Sequence, residues 1–79
     1  MEKNEIEILN IEIGGLKIKD MTAITFVGWL AKKVNNLSVT NSDSVWLISK
    51  IKNPPMGRML DEDKIEAVRK LMNLNIEIK

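Results

Sequence analysis

Near the start of the chain, apolar and polar positions alternate about a pair of glycines. Ile11, Ile13, Leu16 and Ile18 alternate with Glu12 and Lys17 around Gly14-Gly15. Glycines supply the positive φ angles of a tight two-residue turn. The spacing predicts a hairpin within residues 5–19, with Ile13 opposite Leu16, Glu12 opposite Lys17 and Ile11 opposite Ile18. Both apolar pairs then share one face and the opposite-charge pair takes the other. Upstream, Ile6 and Ile8 have one parity while Leu9, Ile11 and Ile13 have the other. A strand through this stretch needs a bulge at Ile8-Leu9. At the far end, Leu74, Ile76 and Ile78 alternate with Asn75, Glu77 and Lys79, predicting a last strand that joins the hairpin.

Between these ends the period becomes helical. Ala23, Ile24, Phe26, Val27, Leu30, Ala31, Val34 and Leu37 form one apolar stripe, predicting a helix at about 21–36 that Asp20 can cap. Trp29 is the misfit, at the centre of the polar side between lysines. Gly28 beside it costs a helix about 1 kcal/mol relative to Ala and lets something approach closely. Residues 35–44 read as a loop, within which Leu37, Ser38, Val39 and Thr40 suit a short strand. Residues 45–52 fit either a strand or a short helix. Ser42-Asp43-Ser44 ahead and Asn53-Pro54-Pro55 behind favour a helix at 44–52 capped by Ser42 or Asp43. A last helix at about 61–72 is capped by Asp61, with Leu60 and Ile65 as a hydrophobic staple, Glu66 and Lys70 paired one turn apart, and Asn73 as its stop.

The predicted fold class is therefore α+β, one domain over residues 1–79. A small antiparallel sheet, made of the N-terminal β-hairpin and the C-terminal strand, packs against two or three helices.

Composition narrows the chemistry. The chain has no Cys and no His, which excludes disulfides and the usual zinc, haem and iron–sulfur sites. No acidic loop has the spacing of a calcium site, so no cofactor and no metal are expected. Glu62, Asp63 and Glu66 cluster at a helix start, where carboxylates offset the helix dipole. Acid–base catalysis asks for a buried environment that nothing here suggests, and no enzyme is expected. Gly14-Gly15 joins two strands without a following Lys-Ser/Thr, so it is a turn and not a phosphate loop. The polar start is no signal peptide, and the run from Ile24 to Ala31 is too short to span a bilayer. A soluble, cytoplasmic protein with no membrane partner is the expectation.

The formal net charge of +1 hides a division. Residues 21–60 carry Lys32, Lys33, Lys50, Lys52 and Arg58 against Asp43 alone, whereas both flanks are slightly acidic. Local fields steer charged partners. Both tryptophans, Trp29 and Trp46, lie in this basic middle, beside lysines and outside the main apolar set of their segments. Exposed tryptophan is enriched at binding hot spots. The competing reading of each is a ring lying over the edge of the core.

Two functions follow, both non-catalytic. The first is a DNA-binding transcription regulator whose middle is helix-turn-helix-like. Lys32, Lys33, Lys50, Lys52 and Arg58 would contact phosphates, and Trp46, Ser49 and Asn53 would approach bases. Ser49, Asn53, Pro54, Gly57, Arg58 and the helix beginning near Asp61 resemble the DNA-binding headpiece of lac-repressor-type regulators over about residues 44–74. The loop before Val45 is longer than that motif's tight turn, and the motif has no N-terminal hairpin. The second is an inhibitor or adaptor of the compact kind made by phages and mobile elements. It would dock an acidic protein partner on a face of Trp29, Lys32 and Lys33. A homodimer through an open sheet edge, at residues 6–8 or along the last strand, is a third expectation.

Overall fold

The computed structural model describes residues 2–35 and 40–78. Helix α1 (Lys3–Leu9) is followed by strands β1 (Glu12–Ile13) and β2 (Leu16–Lys17) and a 3-10 turn (Ile18–Asp20). Three longer helices complete the chain: α2 (Ala23–Lys33), α3 (Ser42–Lys52) and α4 (Asp61–Asn73). The α+β class stands in this reduced form: among the described residues, four helices with a two-stranded antiparallel ribbon. Helix α2 packs on α3, α3 on α4, and α1 on α4. Among the described residues no helix is long and apolar enough to cross a membrane.

The ribbon has the register that its glycines imply. Glu12 faces Lys17 and Ile13 faces Leu16, and the Ile18 N–H donates to the Ile11 carbonyl at 3.0 Å. Gly14 and Gly15 sit at φ 60 and 83. Positive φ at both central residues lets a two-residue turn follow the strands' own twist.

Both expected flanking strands are corrected. Residues 3–9 are helical, and the parity slip at Ile8-Leu9 is the helix's own signature. Ile8 and Leu9 are both buried, which adjacent residues of a regular strand cannot be on one face, whereas neighbours on a helix can. The Glu5 carboxylate accepts from the Glu2 N–H at 3.0 Å at the helix start. The Asn10 side chain donates to the Ile6 carbonyl at 2.8 Å at its end. Among the described residues no C-terminal strand forms, because α4 closes in a left-handed cap. Asn75 has φ 60, its N–H donates to Met72 O at 2.9 Å, and the Ile76 N–H donates to Leu71 O at 3.0 Å. This pair of bonds satisfies the last free carbonyls of the helix and folds the chain back. Leu74, Ile76 and Ile78 then lie half-buried against the core without a strand partner. Neither segment expected to offer an open sheet edge is a strand.

Helix boundaries shift for local reasons. Thr22, not Asp20, caps α2 by accepting the Thr25 N–H; Asp20 belongs to the 3-10 turn. Asn41, not Ser42 or Asp43, caps α3 by accepting the Asp43 N–H at 2.8 Å, and 45–52 is helix. Leu60 takes the cap position of α4, and Asp61 is its first helical residue. Leu60 is 65% exposed, so the staple with Ile65 is not formed. Helix α2 ends at Lys33 rather than 36. Most of the short strand considered for 37–40 lies outside the described residues.

The core gathers Phe26 and Leu30 of α2, Leu47 of α3, and Ile65, Val68 and Leu71 of α4 around Ile18 and Met59. One charged group is inside it. Lys64 of α4 is fully buried, and its ammonium donates to the carbonyls of Ile18 and Met21 at 2.8 Å each and of Lys19 at 3.3 Å. Three donors meet three acceptors, and α4 is thereby tied to the 3-10 turn. Burial lowers the Lys64 pKa from its ordinary value; the nearby Asp61 and Asp20 oppose this, and Arg58 adds to it.

Candidate functional site

Helix α2 decides what its two sides present. At about 100° per residue, Ala23, Phe26, Val27, Leu30 and Val34 make one continuous arc, and all five are buried. Ile24 and Ala31, expected in that stripe, fall beyond its edge and are exposed. The outward side of α2 therefore carries Ile24, Thr25, Gly28, Ala31 and Lys32. Trp29 stands at one margin, half-buried, its ring 5.5 Å from that of Phe26. The Lys33 ammonium lies 5.9 Å from the Trp29 ring centroid, a cation–π distance. The wheel's placement of Trp29 at the centre of the polar side is thus replaced by a ring packed on the edge of the core.

The segment after α3 returns to the first turn of α2. The Gly57 carbonyl accepts the Ala23 N–H at 3.1 Å, satisfying an amide that the helix start leaves free. Gly57 does so at φ 78, open to glycine at little cost. Thr22, Ile24, Pro54, Pro55, Met56 and Gly57 line one shallow groove there. Ile24 is 79% exposed and Met56 97% exposed. Residue type and charge in the sequence point to neither as a binding residue. The signal for Met56 was present, since a turn of two prolines and a glycine leaves its side chain little to pack on.

On α3, Ser44 and Leu47 are buried, and Ser42, Val45, Ser49, Lys52 and Asn53 are exposed along one stripe. Ser49 donates its hydroxyl to the Trp46 carbonyl at 2.7 Å. Trp46 leans away from this stripe toward α4. It is half-buried against the core, with the ammonium groups of Lys50 and Lys70 each 5.3 Å from its ring centroid. Lys70 also bonds Asp43 at 3.3 Å and Glu66 at 3.2 Å. Burial alone would lower the Lys70 pKa, but the hydrogen bonds to Glu66 and Asp43 outweigh it, and the net shift is upward.

The five expected phosphate contacts do not come together. Lys32 and Lys33 are in the last turn of α2. Lys50 and Lys52 are in the last turn of α3, and residues 54–57 beyond them, with Arg58 next, sit at the opposite end of α2. Lys32 and Lys33 are therefore about 15 Å along that helix from the point where residues 54–57 meet it. Lys33 and Lys50 are also partly occupied by their tryptophans. Compared with known proteins, the chain matches no family model, no curated protein and no solved structure.

Proposed function

We propose that this chain is a small non-catalytic binding protein that docks another protein on the outward side of α2, as an inhibitor or adaptor of the kind found in phages and mobile elements. One observation carries the reading: Ile24 and Met56, two large and exposed apolar side chains, line one groove. A chain of 79 residues has little apolar surface to spare from its core. Clustered apolar exposure with a polar rim is the usual mark of a protein contact. Of the Trp29–Lys32–Lys33 face, Lys32 alone is exposed on the outward side of the same helix and adds a cation to this surface; Trp29 and Lys33 lie toward the other margin of α2. The test is affinity capture from cells with the wild type and with a variant combining Ile24→Glu and Met56→Glu. The reading expects captured protein to be lost from the variant while its thermal midpoint holds. An identical captured set would overturn it.

DNA binding is the second reading, and the exposed stripe of α3 favours it. Ser42, Ser49, Lys52 and Asn53 are the polar and cationic kinds of side chain that a recognition helix offers. The separation of the cations counts against it, because duplex affinity grows with the number of phosphates neutralised together. Tryptophan emission titrated with random duplex at low and moderate salt decides the matter. Salt-reversible quenching that disappears in the Lys50→Glu, Lys52→Glu variant would install the DNA reading in place of the first.

A further inference from the structure

We infer that the partner segment seated on this surface is an acidic amphipathic helix. The inference rests on the protein-binding reading above and adds the chemistry of the partner. Ile24, Gly28 and Ala31 are spaced four and three residues apart, so they lie in one line along the exposed side of α2. With Met56 at one end they make a narrow apolar band. Gly28 lies in the middle of that band. A Cβ built there meets nothing within 4 Å and its φ is not in the left-handed region, yet glycine weakens a helix interior by about 1 kcal/mol relative to Ala. A flat place in the band is what a closely approaching backbone uses. A straight helical face of this kind is read by anchors at i, i+3 or i+4, and i+7 of a second helix.

Charge sets the sign of that helix. Lys32 is exposed at one end of the band, and Lys52 and Arg58 are exposed on either side of residues 54–57 at the other. None of the three forms an ion pair among the described residues. Asp43, the one carboxylate between residues 21 and 60, is held by Lys70. Asp20 lines a neighbouring groove with Arg58 and is the nearest negative group in the sequence to the band. An apolar band with cations at both ends selects a partner whose apolar stripe is flanked by Asp or Glu. The same pattern disfavours a second copy of this chain. A two-fold axis across α2 would set Lys32 of one copy against Lys52 and Arg58 of the other.

The test is selection, on the full chain, from a displayed library of random helical peptides about 16 residues long, enough to run past α2. The expected winners are net acidic, with apolar residues at helical spacing. Their binding falls about tenfold or more with Ile24→Glu, a loss of one large apolar anchor. It also weakens with the pair Lys32→Glu and Arg58→Glu, and with added salt. Amide shifts in the bound chain should centre on residues 22–32 and 54–58. No enrichment, basic or non-amphipathic winners, or shifts centred elsewhere would overturn the inference. So would concentration-dependent dimerisation that Ile24→Glu abolishes, because the occupant would then be a second copy. If the peptides fail but cellular capture still depends on Ile24 and Met56, the acidic helix falls and the protein-binding reading stands. If both fail, both fall.

Discussion

Replacing Lys64 with Met removes the ammonium and keeps nearly the same stem, so the cavity term that follows most core substitutions is small. What changes is the set of carbonyls. Ile18 O keeps a donor, the Met21 N–H at 3.1 Å. Lys19 O belongs to an exposed residue and can turn to water. Met21 is buried, and Lys64 is the donor to its carbonyl at 2.8 Å. Orphaning that carbonyl costs about 1–3 kcal/mol, and each charge-assisted bond lost contributes about 1.5–3 kcal/mol. Relief of the buried charge offsets part of this. The expected loss is about 2–4 kcal/mol, a large share of the roughly 4–12 kcal/mol open to a chain of 79 residues. Thermal unfolding followed by tryptophan emission should show the midpoint falling by about 10–20 °C. The pH dependence gives a second check. Because the folded pKa of Lys64 lies below its ordinary 10.5, the cost of holding the charge is fully present below the folded value and gone above 10.5. Wild-type stability relative to Lys64→Met should therefore rise as pH climbs between the two. A midpoint lowered by less than about 3 °C, or raised, would refute the claim that this lysine holds the 3-10 turn to α4.

Ile24→Glu should leave stability within about 0.5 kcal/mol of wild type in urea titrations, since the side chain touches solvent and not the core. Leu47→Ala, at a fully buried position of α3, should cost about 2–5 kcal/mol by the same titration. Lys70→Met should destabilise by removing the bonds to Glu66 and Asp43 and the cation over Trp46. The folded pKa of Lys70 is raised above 10.5, so its contribution is complete below 10.5 and lost as pH rises through the folded value. The gap between wild type and variant, measured by denaturation at each pH, should hold up to about pH 10 and shrink above it. Gly14→Val should lower the thermal midpoint, because φ 60 is strained for a β-branched side chain by about 1–2 kcal/mol. An unchanged midpoint would remove the turn argument.

How far the sequence could be read depended on how local the signal was. The Gly14-Gly15 turn needs only its own backbone, and its register followed from four neighbouring residues. The Glu66–Lys70 pair and the helical character of 45–52 are equally local. Residues 3–9 and 74–78 were misread for a common reason: short apolar runs fit a period of two almost as well as a helix or a folded-back cap. In the first case only the simultaneous burial of Ile8 and Leu9 separates the choices. In the second, one left-handed residue, Asn75, turns the chain before a strand can form. The site was less legible than the fold. Trp29, Trp46 and the lysines stood out by residue type, but how the rings lie against Phe26 and Lys70 is set by tertiary packing. Ile24 reads as core because it and Ala31 border the buried arc of α2 on the helical wheel, yet both are exposed. The groove lined by both Ile24 and Met56 joins residues far apart in sequence and depends on the return of 54–57 to the start of α2.

The central claim is that the outward side of α2, with residues 54–58, is where this protein is bound. Hydrogen–deuterium exchange of the chain, alone and in the captured complex, tests it most directly. Binding on this surface predicts slowed exchange in peptides covering residues 22–33 and 54–58, with 42–53 little changed. Slowed exchange confined to 42–53, the exposed stripe of α3, with 22–33 unaltered, would contradict the claim and move the interface to the other helix.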